Sequence, residues 1–303
     1  MNQPHLNVNG RSGSARHVGQ SPTYDTHRIA RHIALLAVRS LYQELALYPK
    51  PGLVSLRDSG AHLDMNAETF VRSLFSLRNY FVAIAAAGMC AAEFKELQLL
   101  GLDAESRMLH ATRGINTHRG AIFTNGLLAA AAGCAAARNM VLSDKNLRAI
   151  VLENWSRDLC AIAVACSAAP SHGQLMAARH GVTGARGEAL QGFPSVFDVA
   201  LPALRSALDR DADTQHALLH TFFVLLAATK DTNVLFRGGT EGLQFIQTQA
   251  REFLDHGSVF ETGWQQRAES LHRECSANNL SPGGCADLLA AAWFVHLMQI
   301  NQS

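Results

Sequence analysis

The chain has 303 residues, enough for one large domain or two small ones around a sizeable core. With 48% hydrophobic and 17% charged residues it is globular and apolar, which excludes a disordered chain, and a net charge of +1 excludes a global field for nucleic acid or membranes, so anion binding must be local. Aromatic residues are 7% and alanine recurs in clusters, which favours close helix packing over strands.

Residues 1–26 are polar and turn-rich and read as a disordered leader, with 27–303 as one all-α catalytic domain. The spacing of Ile29, Ile33, Leu36, Val38 and Leu41 predicts a first helix over His27–Tyr48, stopped by Pro49 and Pro51. An irregular segment, Tyr48–Met65, follows. Long ordered loops inside compact domains tend to carry function, and this one holds Lys50, Asp58, His62 and Asp64. Asn66–Cys90 is a helix with an apolar stripe of Phe70, Leu74, Leu77, Phe81 and Ile84, and Leu102–Arg113 is a shorter one.

Gly114–Ala137 is the most telling stretch. Its second half is apolar on all sides, the mark of a buried central helix. Its first half gathers Asn116, Thr117, His118, Arg119 and Gly120, and Asn or Thr is a favoured N-cap, so the helix is expected to begin there. Free amides at a helix N-terminus beside Arg119 make a place for a phosphate.

Lys145–Ala169 reads as a helix ended by Pro170, and His172–His180 as a brief helical turn. A second glycine-rich passage then places Arg186 before a helix. Further helices are read at Pro194–Asp209, from Thr214 through Ala228, at Gly239–Leu254, at Glu261–Asn278, and from Asn279 to the end, with Ser281 as N-cap and Pro282 at the first helical position. Asp231 follows the all-apolar run Phe222–Ala228 at i+7 from Val224 and i+4 from Ala227. A continuing helix would carry this carboxylate along a buried stripe, where it needs a cation, metal or hydrogen-bond network. The sum is ten or more helices, no persuasive strand, and an all-α single domain around small-residue apolar helices.

Cys90, Cys134, Cys160, Cys166, Cys275 and Cys285 include no C-x-x-C pair and read as reduced thiols in a cytoplasmic protein without a zinc site. The apolar stretches fall short of the ~18 to 20 residues that span a bilayer, or are interrupted by polar side chains. No phosphate-binding P-loop, dinucleotide fingerprint or serine elbow is present. Carboxylates and basic groups at helix termini fit Mg²⁺ holding a polyphosphate on a helical scaffold.

Six motifs in order carry a resemblance: Y-P-K-P-G-L-V (48–54), S-G-A-H-L-D-M (59–65), N-T-H-R-G-A-I-F (116–123), G-A-R-G-E-A (184–189), D-T-N-x3-R-G-G (231–239) and N-L-S-P-G-G-C-A-D-L-L-A (279–290). From about residue 30 onward the chain resembles the triphosphoribosyl-dephospho-CoA synthase family. The resemblance implies that ATP and 3′-dephospho-CoA give 2′-(5″-triphosphoribosyl)-3′-dephospho-CoA and adenine, feeding the acyl-carrier subunit of malonate decarboxylase or citrate lyase. Arg119 stands where lysine is frequent and Cys285 where serine is commoner. Ser55 after K-P-G-L-V tilts toward the malonate decarboxylase branch.

On that resemblance Lys50, Arg119, Arg186 and Arg237 hold the triphosphate, and Mg²⁺ sits on Asp64 and Asp231. An oxocarbenium-like state needs a base for the attacking hydroxyl and an acid for adenine. Asp231 is the candidate base or metal ligand, His118 or Glu188 the proton donor, and His62, Asn116, Asn233 and Gly238 are substrate contacts. The expected partners are the two substrates, the downstream acyl-carrier subunit and a second copy in a homodimer, with no nucleic acid and no membrane. Two other classes fit the residues: a Mg²⁺-dependent nucleotide or ADP-ribose hydrolase, and a non-catalytic helical module binding CoA-like ligands.

Overall fold

The computed structural model describes residues 22–164 and 184–301, and these form eleven α-helices with no strand among them. Residues 1–21 of the expected leader, the tail of the helix expected to Ala169, the turn expected over His172–His180, and Cys166 lie outside the described residues.

Helix α1 (Pro22–Ala46) begins inside the stretch expected to be leader, with proline in the first turn, where a missing amide costs nothing. Its buried stripe runs through Ile33, Ala37, Leu41 and Leu45. Helix α2 (Ala67–Met89) is held at its start by a reciprocal cap, in which Asn66 Oδ1 accepts from the Thr69 amide at 3.1 Å and Thr69 Oγ1 accepts from the Asn66 amide at 3.4 Å. Helix α3 spans Phe94–Ala111 and so starts well before Leu102, because Phe94 and Leu97 extend the face buried by Ala104 and Met108.

Helices α4 (Arg119–Ala137), α5 (Asp144–Val164) and α6 (Gly184–Leu190) follow. The helix expected over Pro194–Asp209 opens instead as a wider π turn, Ser195–Ala200, before α7 (Leu201–Leu208). Pro202 has no amide to give, and the Leu201 amide reaches five residues back to the Val196 carbonyl. Helices α8 (Thr214–Ala228), α9 (Thr232–Asp255), α10 (Trp264–Ala277) and α11 (Gly283–Ile300) complete the chain.

Two helices form the centre. α4 packs against α1, α2, α3, α5, α6 and α11, while α11 packs against α1, α4, α7, α8 and α9. Both are long and apolar enough to cross a membrane by length and composition, more than the sequence reading allowed, yet 78% and 67% of their apolar windows are buried inside the protein. They are core helices of the bundle. The five described cysteines are free thiols.

Small residues set the spacing at the centre. A Cβ on Gly133 of α4 would lie 2.1 Å from the Ala85 carbonyl oxygen of α2, and one on Gly88 of α2 would lie 2.0 Å from the Ala130 carbonyl oxygen of α4. Both obstacles are backbone, so no rotamer change relieves them. Gly133→Ala gains up to about 1 kcal/mol of helix propensity but overpacks the crossing by about 1–3 kcal/mol. The expected outcome is net destabilisation, read as a lower urea midpoint with an unchanged slope; an unchanged or higher midpoint contradicts the packing account.

Candidate active site

The chain leaves α8 at Ala228, turns through an extended Thr229 and enters α9 at Asp231. Asp231 therefore does not ride on a continuation of the apolar helix, as its spacing suggested, but stands as the N-cap of the next one. Its Oδ1 accepts from the Asn233 and Val234 amides at 2.8 and 3.2 Å. Its Oδ2 accepts from the Cys285 amide at 2.8 Å, in the first turn of α11. Pro282, at the cap position of α11, makes no side-chain cap bond. Ser281, expected to cap α11, spends its hydroxyl elsewhere. One carboxylate, 3% exposed, thus caps two helices. Gly283 and Gly284 let the helices meet: a Cβ on Gly284 would lie 2.9 Å from Asp231 Oδ2, and one on Gly283 would lie 2.8 Å from Asn233 Nδ2.

A second carboxylate ties in the third helix. Asp287, on α11 and partly exposed, accepts from the Ala121 amide in the first turn of α4. Its Oδ2 occupies the space a Cβ on Gly120 would need, 1.9 Å away. The positive ends of α4, α9 and α11 consequently converge on two carboxylates. Gly184 at the head of α6 also comes close, since a Cβ there would sit 3.6 Å from Thr232 Cγ2.

The third carboxylate is Glu44 of α1. Lys50, 1% exposed, donates to Glu44 Oε1 and, at 2.6 Å, to the Glu44 carbonyl. Burial lowers the Lys50 ammonium below the usual lysine range while Glu44 opposes the drop. Burial raises Asp287 well above the usual carboxylate range, and the neighbouring charges of Glu44 and Asp231 add to the rise against the Ala121 amide. Asp231 is also raised by burial, against its three amides. Of the three carboxylates, only Glu44 is paired with the Lys50 ammonium.

His118 closes the inner wall at the start of α4. Its Nδ1 lies 2.6 Å from Ser73 Oγ and 3.2 Å from Thr117 Oγ1, and its Nε2 is buried without a partner. Burial, with Lys50 adding to it, pushes its pKa down to about 3. At neutral pH this is a neutral hydrogen-bonding imidazole, so the proton-donor role expected of it from imidazolium does not fit the site.

An outer ring lies where the Tyr48–Met65 segment meets α9. Arg237 Nη2 donates to His62 Nδ1 at 3.1 Å, which leaves His62 Nε2 to donate to Ser281 Oγ at 2.8 Å. Arg237 Nη1 also donates to Asn279 Oδ1 at 2.6 Å and to the Ala61 carbonyl at 3.3 Å. Burial and Arg237 together lower the His62 pKa, in keeping with a neutral ring. Asp64 sits 3.7 Å from His62 and is 63% exposed. His272 of α10 braces the segment from behind, between the Lys50 carbonyl (2.6 Å) and Asp58 (3.0 Å).

Against the sequence expectations, the structure gathers His62, Asn233, Arg237, Asp231 and His118 around these helix ends. Lys50 is sealed against Glu44 and does not face solvent as a phosphate clamp. Arg119 forms an ion pair with Glu105, and Asn116 Oδ1 accepts from the Arg119 amide at 3.1 Å, so the helix begins at Arg119 with Asn116 serving its first turn. Arg186 is partly exposed on α6. Gly238 is partly exposed and backs onto Leu280, whose Cδ2 would lie 2.3 Å from a Cβ there.

Glu188 is also occupied, accepting from the Ser195 amide at 3.0 Å and the Ser195 hydroxyl at 2.6 Å, which makes it a cap for the π turn and not a free acid. Asp64 and Asp231 share no common partner, and no group of three or more His, Cys, Asp and Glu side chains is gathered for a metal among the described residues. With three amides on its two oxygens, Asp231 serves as a helix anchor. Sequence reasoning missed Glu44, Ser73 and Asp287. Glu44 and Asp287 each carried the signal that marked Asp231, a carboxylate within an apolar helical run.

Two outcomes follow from this wiring. Asp231→Ala uncaps α9 and α11 together, and with each cap worth about 1–2 kcal/mol the expected loss is about 2–4 kcal/mol of unfolding free energy in urea. A loss below one cap's worth would mean the bridge is not stabilising. For His118 the folded-state pKa of about 3 lies below the ordinary 6.5, so the unfolded chain binds the extra proton between those values. Stability from this group is complete above about pH 6.5 and is lost as pH falls toward 3, by at most about 1.4 kcal/mol per pH unit. Urea unfolding across that range should show wild type losing ground to His118→Gln at that sign, and a constant difference would exclude it.

Residues 30–303 match the CitG family model, ATP:dephospho-CoA triphosphoribosyl transferase. A protein of Salmonella gallinarum named probable 2-(5″-triphosphoribosyl)-3′-dephosphocoenzyme-A synthase is 41% identical over 275 residues, covering 86% of this chain and 88% of the relative. Proteins of the same name from Acinetobacter calcoaceticus and Vibrio cholerae are each 35% identical, over 89% and 91% of this chain and 92% and 90% of theirs. No solved structure matches.

Proposed function

The chain belongs to the ATP:dephospho-CoA triphosphoribosyl transferase family, and we propose that it transfers the triphosphoribosyl group of ATP to the 2′-hydroxyl of 3′-dephospho-CoA with release of adenine. The observation that carries this reading is the convergence of three helix N-termini on buried carboxylates beside an arginine–histidine ring. ATP acts here as a ribosyl donor, so its triphosphate must be held intact while C1′ of its ribose is attacked. Arg237, Arg119 and Arg186 stand at or near the positive helix ends and are the groups assigned to the phosphates.

His62 is held by Arg237 in the tautomer that donates to Ser281, which fixes the floor of that ring. Lys50 holds Glu44 in place, and Asp231 sets the distance between α9 and α11. Exposed Asp64 fits a magnesium ion that arrives with the nucleotide, because Mg²⁺ keeps several waters and takes one or two carboxylates together with phosphate oxygens. Bound there, it would neutralise triphosphate charge.

Water exclusion separates a transferase from a hydrolase, and a buried wall of α4, α9 and α11 favours the hydroxyl acceptor over solvent. Free thiols fit a cytoplasmic enzyme. Ser55, which tilted the resemblance toward malonate decarboxylase, accepts from the Arg57 and Asp58 amides in a turn and so serves the loop. The product is common to both branches and is consumed by transfer to an acyl-carrier subunit. Incubation with ATP, Mg²⁺ and 3′-dephospho-CoA should yield adenine and a dephospho-CoA species heavier by one triphosphoribosyl group in mass spectrometry. Adenine formed at the same rate without dephospho-CoA would instead establish a nucleotide hydrolase.

A further inference from the structure

Resting on the transferase reading above, we infer that Asp287 is the catalytic base, taking the proton of the attacking 2′-hydroxyl. Among the three carboxylates of the site it is the one with oxygens to spare. Asp231 accepts three backbone amides across two helices, and Glu44 is held by Lys50. Asp287 has a single backbone amide, that of Ala121, and is partly exposed where the other two are buried. It stands on α11, a core helix packed against α1, α4, α7, α8 and α9, and is pressed against Gly120, whose missing side chain is what admits it. A group positioned this rigidly at a helix N-terminus meets the geometric demand on a general base.

The neighbours tune it in the useful direction. From α1 it feels Glu44 and from the head of α9 Asp231, while the Cys285 thiol two residues before it is itself pushed up by burial and by Asp231 and so stays neutral. Lys50 lies behind Glu44, and His118, neutral and buried, faces Lys50 from α4. The negative neighbours and burial make Asp287 more basic than an ordinary carboxylate, which suits proton abstraction from a hydroxyl. His118 Nε2 is buried without a protein hydrogen-bond partner in the same patch.

The step balances. The hydroxyl O–H breaks onto the Asp287 carboxylate, the oxygen forms the new bond to C1′, and the C1′–N9 bond breaks with its electron pair leaving on adenine. Adenine takes up one proton, so none is released overall.

The test compares wild type, Asp287→Asn and Asp287→Glu with ATP, Mg²⁺ and 3′-dephospho-CoA, following adenine release from pH 5 to 9. Asp287→Asn is expected to lower kcat by about 10²–10⁴-fold, with KM for both substrates and the urea midpoint near wild type. The wild-type rate should rise with pH through a limb above the usual carboxylate range, and that limb should vanish from the residual Asp287→Asn activity. Asp287→Glu, which keeps the carboxylate, should recover part of kcat. An Asp287→Asn enzyme within about tenfold of wild type, a loss confined to KM or stability, or a retained acid limb each overturns the assignment. A wild type that forms no adenine overturns the transferase reading as well, whereas an active wild type beside an active Asp287→Asn overturns only the base.

Discussion

Everything in this molecule that resembles chemistry depends on one carboxylate shared by two helices. Asp231 closes the start of α9 with one oxygen and the start of α11 with the other. Helix N-termini repel one another, since each presents unpaired amides and a positive dipole end. A buried anion between them converts that repulsion into a fixed distance. Asp287 repeats the device one step further along, from α11 to α4, and the glycines at 120 and 284 are the room both contacts require.

The same arrangement explains why the interior is acidic without falling apart. Lys50 neutralises Glu44 at close range, and helix amides stand in for the missing cations around Asp231 and Asp287. That balance is incomplete, which is why burial and mutual repulsion leave Asp287 raised. A site in that condition has a use for a substrate proton. The basic groups, by contrast, lie outward: Arg237 in the His62–Ser281 ring, Arg119 on α4 and Arg186 on α6. Arginines at the rim and carboxylates within is the order a triphosphate ester reacting at its sugar would need.

Much of the frame was legible without coordinates. All-round apolarity marked α4 as a core helix, and the absence of alternating patterns left only an all-α fold. The residues around Asp231 were found by asking where a carboxylate could not remain unpaired. The same question overlooked Asp287 and Glu44, because each sits in a helix whose burial on that side is a matter of which neighbour arrives. Glu188 and Lys50 misled for the mirror reason: their residue types suit catalysis, but a serine turn and a glutamate claim them first.

The amino-acid sequence alone determined most of the helices, the central apolar segment of α4 and the family, because these rest on local spacing and on residues in fixed order. Only the tertiary structure decided which polar groups share a site. Glu44, Asp231 and Asp287 lie far apart along the chain, and a hydrogen bond or a like-charge repulsion acts over a few ångströms of space, a distance set by packing of helices and not by position in sequence.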